Sequence, residues 1–156
     1  MKTIKSSTFE LQGRKGGSCC SLLALLNARR FFGIRSPRIG SRKWEKLVDE
    51  IRCRHGGAIC VDEVATTLGL KRCQIRVGLK TFTKSLPVML TVLNPERTGC
   101  TLHSVLVTDI DRDIVNLVNF HWLSGPVIET IRWRDIPIPT SGHSRRKAWT
   151  ITTITI

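Results

Sequence analysis

The stretch from Ser18 to Gly33 constrains the fold more than any other part of the chain. Leu22, Leu23, Ala24, Leu25, Leu26 and Ala28 leave almost no polar face, as expected of a helix buried on most sides rather than laid on a surface. Asn27, Arg29 and Arg30 form its polar tail, and Phe31-Phe32-Gly33 ends it with glycine at the C-cap. Ahead of it, Met1–Gly17 reads as an extended lead-in closing in a loop, because Gly13, Gly16 and Gly17 surround a basic pair. A helix of this kind must sit at the centre of the fold, so the remaining residues have to cover it.

The pattern downstream supplies that cover. Trp44, Leu47, Val48 and Ile51 recur at helical spacing, so Lys43–Cys53 reads as an amphipathic helix that Gly56-Gly57 breaks. Val61–Leu68 reads as a short helix ended by Gly69. Strands follow: Cys73–Gly78, the strongly apolar Pro87–Leu93, His103–Ile110, Ile114–Phe120, Ile128–Trp133 and Trp149–Ile156. Helices first and strands afterwards point to an α+β chain with an antiparallel sheet, not an alternating α/β one. With 156 residues, the expectation is one domain spanning positions 1–156.

Charge and cysteine usage limit the setting. The formal net charge is +13, from 25 lysines and arginines against 12 carboxylates. The basic residues are denser at Arg35–Lys46, Lys71–Lys84 and Arg132–Lys147. Such an excess fits either a solubilising surface or a polyanionic or acidic partner. Six cysteines without an amino-terminal signal-peptide pattern are read as reduced thiols of a cytoplasmic protein. No run approaches the roughly 20 apolar residues that span a bilayer, so no membrane span is expected.

Four residues carry candidate chemistry. A thiol becomes a nucleophile when its thiolate is stabilised, and a helix amino-terminus does this through exposed N–H groups and the dipole. Cys20 lies where the glycine loop meets the buried helix. His103 opens an apolar strand that can face that helix end, and Asn119 closes the next strand. A hairpin between the two strands brings Asn119 back to His103, as general base and orienting residue. Gln12, with the Cys20 N–H, is the candidate oxyanion donor. Cys19 competes with Cys20, but the helix register favours Cys20 and leaves Cys19 as a buried small apolar side chain.

The run Cys20-Ser-Leu-Leu-Ala-Leu-Leu-Asn27-Ala-Arg-Arg-Phe-Phe-Gly33 resembles the nucleophile helix of the bacteriocin-processing (double-glycine) peptidases within the papain-like clan. Val61–Leu70 resembles the short middle helix of that group. Leu86–Leu90, Leu102–Asp109 and Val115–Asn119 resemble its strands bearing the histidine and the final Asp or Asn. The likeness covers roughly residues 10 to 122 and keeps the order Gln, Cys, His, Asn. It implies a papain-like fold, with the nucleophile helix packed on a carboxy-terminal antiparallel sheet. The implied activity is that of a cysteine peptidase hydrolysing peptide or isopeptide bonds through a thioester, with no cofactor. The chain departs from the group's pattern at Cys19 and Ser21 on either side of the nucleophile, in the spacing of Gln12, and at Asn119-Phe120 in place of Asp-Pro.

Other features have plainer readings. Cys53, His55, Cys60 and Cys73 offer zinc-type ligands, but their irregular spacing lacks a Cys-x2-Cys pair, and no metal is expected. Gly16-Gly17 and Gly56-Gly57 read as loop glycines rather than self-cleavage sites. His121 and His143 read as loop residues, with His121 close enough to Asn119 to line the cleft; Trp122 either shields the His103 hydrogen bond or only packs. The alternative function is a catalytically silent papain-like module that binds nucleic acid or an acidic protein through its basic surface. A chain without tyrosine is poorly equipped to stack bases on a single-strand platform.

Overall fold

A computed structural model describes residues 5–16, 19–55, 61–75, 86–96, 102–139 and 151–156, without the side chains of residues 15, 52–55, 61–63 and 72–75. Four helices come first: α1 (Gly13–Gly16), α2 (Cys20–Phe31), α3 (Arg42–His55) and α4 (Val61–Thr67). The strands are β1 (Lys71–Ile75), β2 (Val88–Leu93), β3 (Leu102–Asp111), β4 (Ile114–Val118), β5 (Ile128–Arg132) and β6 (Ile151–Thr155). The chain is α+β, with helices packed on an antiparallel sheet.

Helix α2 is buried from Leu22 through Ala28. It ends at Phe32 in a left-handed turn at Gly33, whose φ is +78°. There Gly33 N–H donates to Arg30 O at 2.9 Å and Ile34 N–H to Arg29 O at 2.9 Å, the paired bonds of a Schellman motif. Helix α4 ends the same way, with Gly69 N–H on Thr66 O and Leu70 N–H on Ala65 O. Helix α3 begins at Ser41, whose Oγ accepts the Trp44 N–H at 3.2 Å as an N-cap. It buries Trp44 and Ile51 and exposes Arg42, Lys43, Glu45, Lys46, Asp49 and Glu50.

The sheet has six strands in the order β1-β6-β2-β3-β4-β5, and every neighbouring pair is antiparallel. One face, with Met89, Leu106, Val118 and Ile154, packs under α2, α3 and α4. The other carries Val88, Leu90, Val92, Val105, Val107 and Leu117, and is covered by Trp133, Ile136 and Ile138 after β5. Burial on both sides explains why Pro87–Leu93 and Val105–Val107 read as continuous apolar runs instead of alternating ones.

The lead-in differs from the extended loop that its glycines predict. Ser6–Thr8 forms a 3-10 turn, and Gly13–Gly16 forms one helical turn closed by Gly16 N–H on Gln12 O at 3.0 Å. Gly16 is there for space: a Cβ at this position would stand 2.6 Å from Gln12 Cγ. Among the described residues no helix is long and apolar enough to cross a membrane.

Candidate active site

Cys20 is the first residue of α2, and Cys19 is its N-cap. No side chain caps this end and no acidic residue occupies its first turn. The first turn therefore carries no carboxylate to neutralise the positive end of the helix, which favours an anion at Cys20. Cys19 points into the core, 5 % exposed, while Cys20 is partly exposed. The two are thiols and not a disulfide. Cys20 stands at His103.

His103 lies at the start of β3 and is 2 % exposed. Its Nε2 lies 2.7 Å from the main-chain carbonyl oxygen of Asn119. Because a carbonyl only accepts, Nε2 carries the proton in this contact, which leaves Nδ1 for the thiol. Burial pushes the Cys20 thiol up. The hydrogen bond with His103, the Ser104 backbone N–H, the His103 charge and the Ser104 hydroxyl outweigh it, bringing the thiol down from 9.0 to about 7. A thiol at that value is substantially ionised at neutral pH.

Asn119 meets His103 through a different group from the one its residue type suggests. Its backbone is left-handed, with φ +64°, so its carbonyl turns toward His103 while its amide turns toward the lead-in. The amide Oδ1 accepts the Gln12 N–H at 3.0 Å, and Nδ2 donates to Glu10 O at 3.0 Å. Asn119 thus holds the His103 ring with its main chain and the Gln12 backbone with its side chain. Replacing it by glycine keeps the carbonyl and suits the left-handed turn, but removes one buried and one part-buried hydrogen bond. Asn119→Gly is expected to lose about 1–3 kcal/mol of stability, while the alkylation midpoint of Cys20 stays near 7. A midpoint that rises toward 9 would show that the amide, not the carbonyl, sets His103.

Gln12 is buried, 3 % exposed, just ahead of α1. It is anchored by Asn119 on one side and by Trp122 on the other, whose carbonyl accepts the Gly13 N–H at 2.7 Å. Trp122 is itself buried, its ring centroid 6.1 Å from that of His103 and tilted by 35°. Its Nε1 donates to Asn94 Oδ1 at 3.1 Å, so the indole has a fixed seat beside the imidazole. His121 lies in the same loop and binds Glu129 through Nδ1 at 2.7 Å.

Residue types alone did not reveal three contributors. Ser104 supplies two of the groups that favour the Cys20 thiolate, and its Oγ lies 2.9 Å from Ser21 Oγ. Glu10 and Asn27 hold the lead-in. Asn27 Oδ1 accepts the Glu10 N–H and its Nδ2 donates to Glu10 O, both at 3.1 Å, so the amide pairs with Glu10 as a neighbouring strand would. The signal was present in the sequence, since a lone amide inside an otherwise apolar helix needs a partner.

The side chains of Cys53, His55 and Cys73, and all of Cys60, His143, Gly17 and Gly56-Gly57, lie outside the described residues. Among the described residues no group of three or more His, Cys, Asp or Glu is placed to hold a metal ion. Comparison with models of protein families finds no match, and comparison with curated proteins finds none either.

Proposed function

We propose that the chain is a cysteine peptidase of papain-like architecture. The observation that carries this reading is the ionisable Cys20 at a helix amino-terminus, hydrogen-bonded to a His103 whose other nitrogen is fixed by Asn119. Cys20 Sγ attacks the carbonyl carbon of a peptide or isopeptide bond, and its proton resides on His103 Nδ1. The oxyanion that forms is met by the Cys20 N–H and the Gln12 amide. Collapse expels the amine, which takes the proton from His103 and leaves a thioester on Cys20. Water then attacks the thioester as His103 accepts its proton, and the acid leaves as the thiol is restored. Asn119 holds the imidazole in one tautomer throughout, and Trp122 limits water at the ring.

The test is to offer wild-type, Cys20→Ala and His103→Ala proteins a library of peptides and read new termini by mass spectrometry. Wild type should create termini that both variants make at least about 10³-fold more slowly. Acid quenching should trap an acyl adduct on Cys20 alone. Cleavage by Cys20→Ala at the wild-type rate would remove the assignment.

A further inference from the structure

A second site lies at the other end of α2, roughly 15 Å from Cys20 at the helical rise per residue. It is a groove of about 570 Å³ whose walls include Arg30, Arg35, Arg38, Lys43, Thr8 and Ser36. Neither a carboxylate nor an aromatic ring is among its described lining residues. Arg30 is already engaged: its guanidinium binds Glu10 at 2.7 Å, Pro37 O at 2.6 Å and Asn27 Oδ1 at 2.8 Å. Arg35, Arg38 and Lys43 are exposed, and no ion pair ties them among the described residues.

The loop that carries Arg35 and Arg38 is held firmly, and Lys43 follows it in α3. Ile34 N–H donates to Arg29 O at 2.9 Å, an Arg29 guanidinium nitrogen donates to Arg35 O at 3.3 Å, and Ile39 N–H donates to Glu10 Oε1 at 2.8 Å. Burial lowers the Arg30 pKa, the Glu10 charge opposes this and the Arg38 charge adds to it. The fold therefore keeps like charges together in a concave, preorganised place without an internal anion to balance them all.

We propose that this groove binds the phosphate backbone of a nucleic acid, as a site separate from Cys20 and His103. Two guanidinium forks and an ammonium suit phosphate oxygens, which Arg can bind bidentately. The lack of aromatic rings removes base stacking, so recognition is of the backbone and not of sequence. The net charge of +13 favours a long polyanion over a single small anion. The proposal stands independently of the peptidase reading.

The experiment titrates a fluorescent duplex of about 20 base pairs, DNA in one arm and RNA in the other, from about 50 to about 200 mM salt. Wild type is compared with Arg35→Gln/Arg38→Gln/Lys43→Gln and with Arg112→Gln/Arg132→Gln/Arg134→Gln, which removes the same charge elsewhere. The groove variant should bind at least about tenfold more weakly at the higher salt, and its salt slope should fall by about 2 to 3. The control triple should keep a slope close to wild type. Cys20 alkylation at neutral pH, unchanged in both triples, shows that they are folded. Tighter binding to the DNA or the RNA arm identifies the source of the phosphates. Equal losses in the two triples, no binding at low salt, or stronger binding of polyglutamate through the same three residues would each overturn the proposal, the last in favour of an acidic protein.

Discussion

Replacing His103 by alanine is expected to move the onset of Cys20 reactivity from near pH 7 to 9 or above. The direction follows from the balance at the thiol. Burial raises its pKa, and two of the four opposing influences come from His103 as hydrogen-bond partner and charge. Removing the imidazole leaves the burial in place, countered by Ser104 and the helix end but no longer by His103. At pH 7 the thiolate fraction then falls from about one half to about one hundredth. A more basic thiolate is intrinsically more nucleophilic, which recovers part of the loss, so alkylation at pH 7 slows by only about sixfold. The displaced pH profile, read by mass-mapped iodoacetamide labelling, is therefore the decisive quantity. Cys19 should remain unlabelled at every pH where the fold persists. A His103→Ala profile that still rises near pH 7 would mean that the helix end and Ser104 suffice without the imidazole.

The second large effect is expected at Asn27, far from the thiol along α2. This amide is fully buried and accepts from Glu10 N–H and from Arg30, while donating to Glu10 O. Leucine has the same branching and number of heavy atoms but answers none of these groups. Asn27→Leu would leave the Glu10 N–H unmatched, weaken the hold on its carbonyl, and cost Arg30 one acceptor. The expected loss is about 3 kcal/mol, at the upper range for a disrupted buried network. Urea unfolding followed by tryptophan fluorescence measures it. Because Glu10 stands two residues before Gln12, turnover per folded molecule should also fall, while the alkylation midpoint of Cys20 holds. A variant as stable as wild type would show that the bonds from Asn119, Trp122, Arg30 and Ile39 secure the lead-in without this amide.

Both expectations rest on groups that the sequence discloses unequally. The apolar run Leu22–Ala28 could fold as little else than a central helix, and its cysteine at one end and glycine at the other fixed its limits within a residue or two. Apolar runs and turn residues also located β2 and β3, because burial on both faces left their patterns unambiguous, whereas β1 begins at Lys71, two residues before the expected Cys73, and β5 is only partly buried. Strand order was not legible: nothing in Ile151–Thr155 says that it pairs with β1 and β2. Main-chain roles were equally hidden. A sequence names the side chain at position 119, but His103 is met by the carbonyl there, and a left-handed backbone at asparagine is a tertiary fact. The helical turn at Gly13–Gly16 was masked by its own glycines, which are poor helix formers, Gly16 standing where a Cβ would meet Gln12.

The position of β6 has a kinetic consequence. It follows β5 in the chain yet enters the sheet on the far side, between β1 and β2. Helix α2 and the meander β2-β3-β4-β5, with Cys20, His103 and Asn119, can assemble from segments made earlier. Strand β1 cannot join them, because its neighbour does not yet exist. Until β6 arrives, β1 and β2 both present unpaired edges, the surfaces most prone to pair with another chain. The thiol–imidazole pair can thus form before the sheet is continuous, and the last long-range closure, slow because of its sequence separation, governs how long a growing chain stays exposed to aggregation rather than how its site is built.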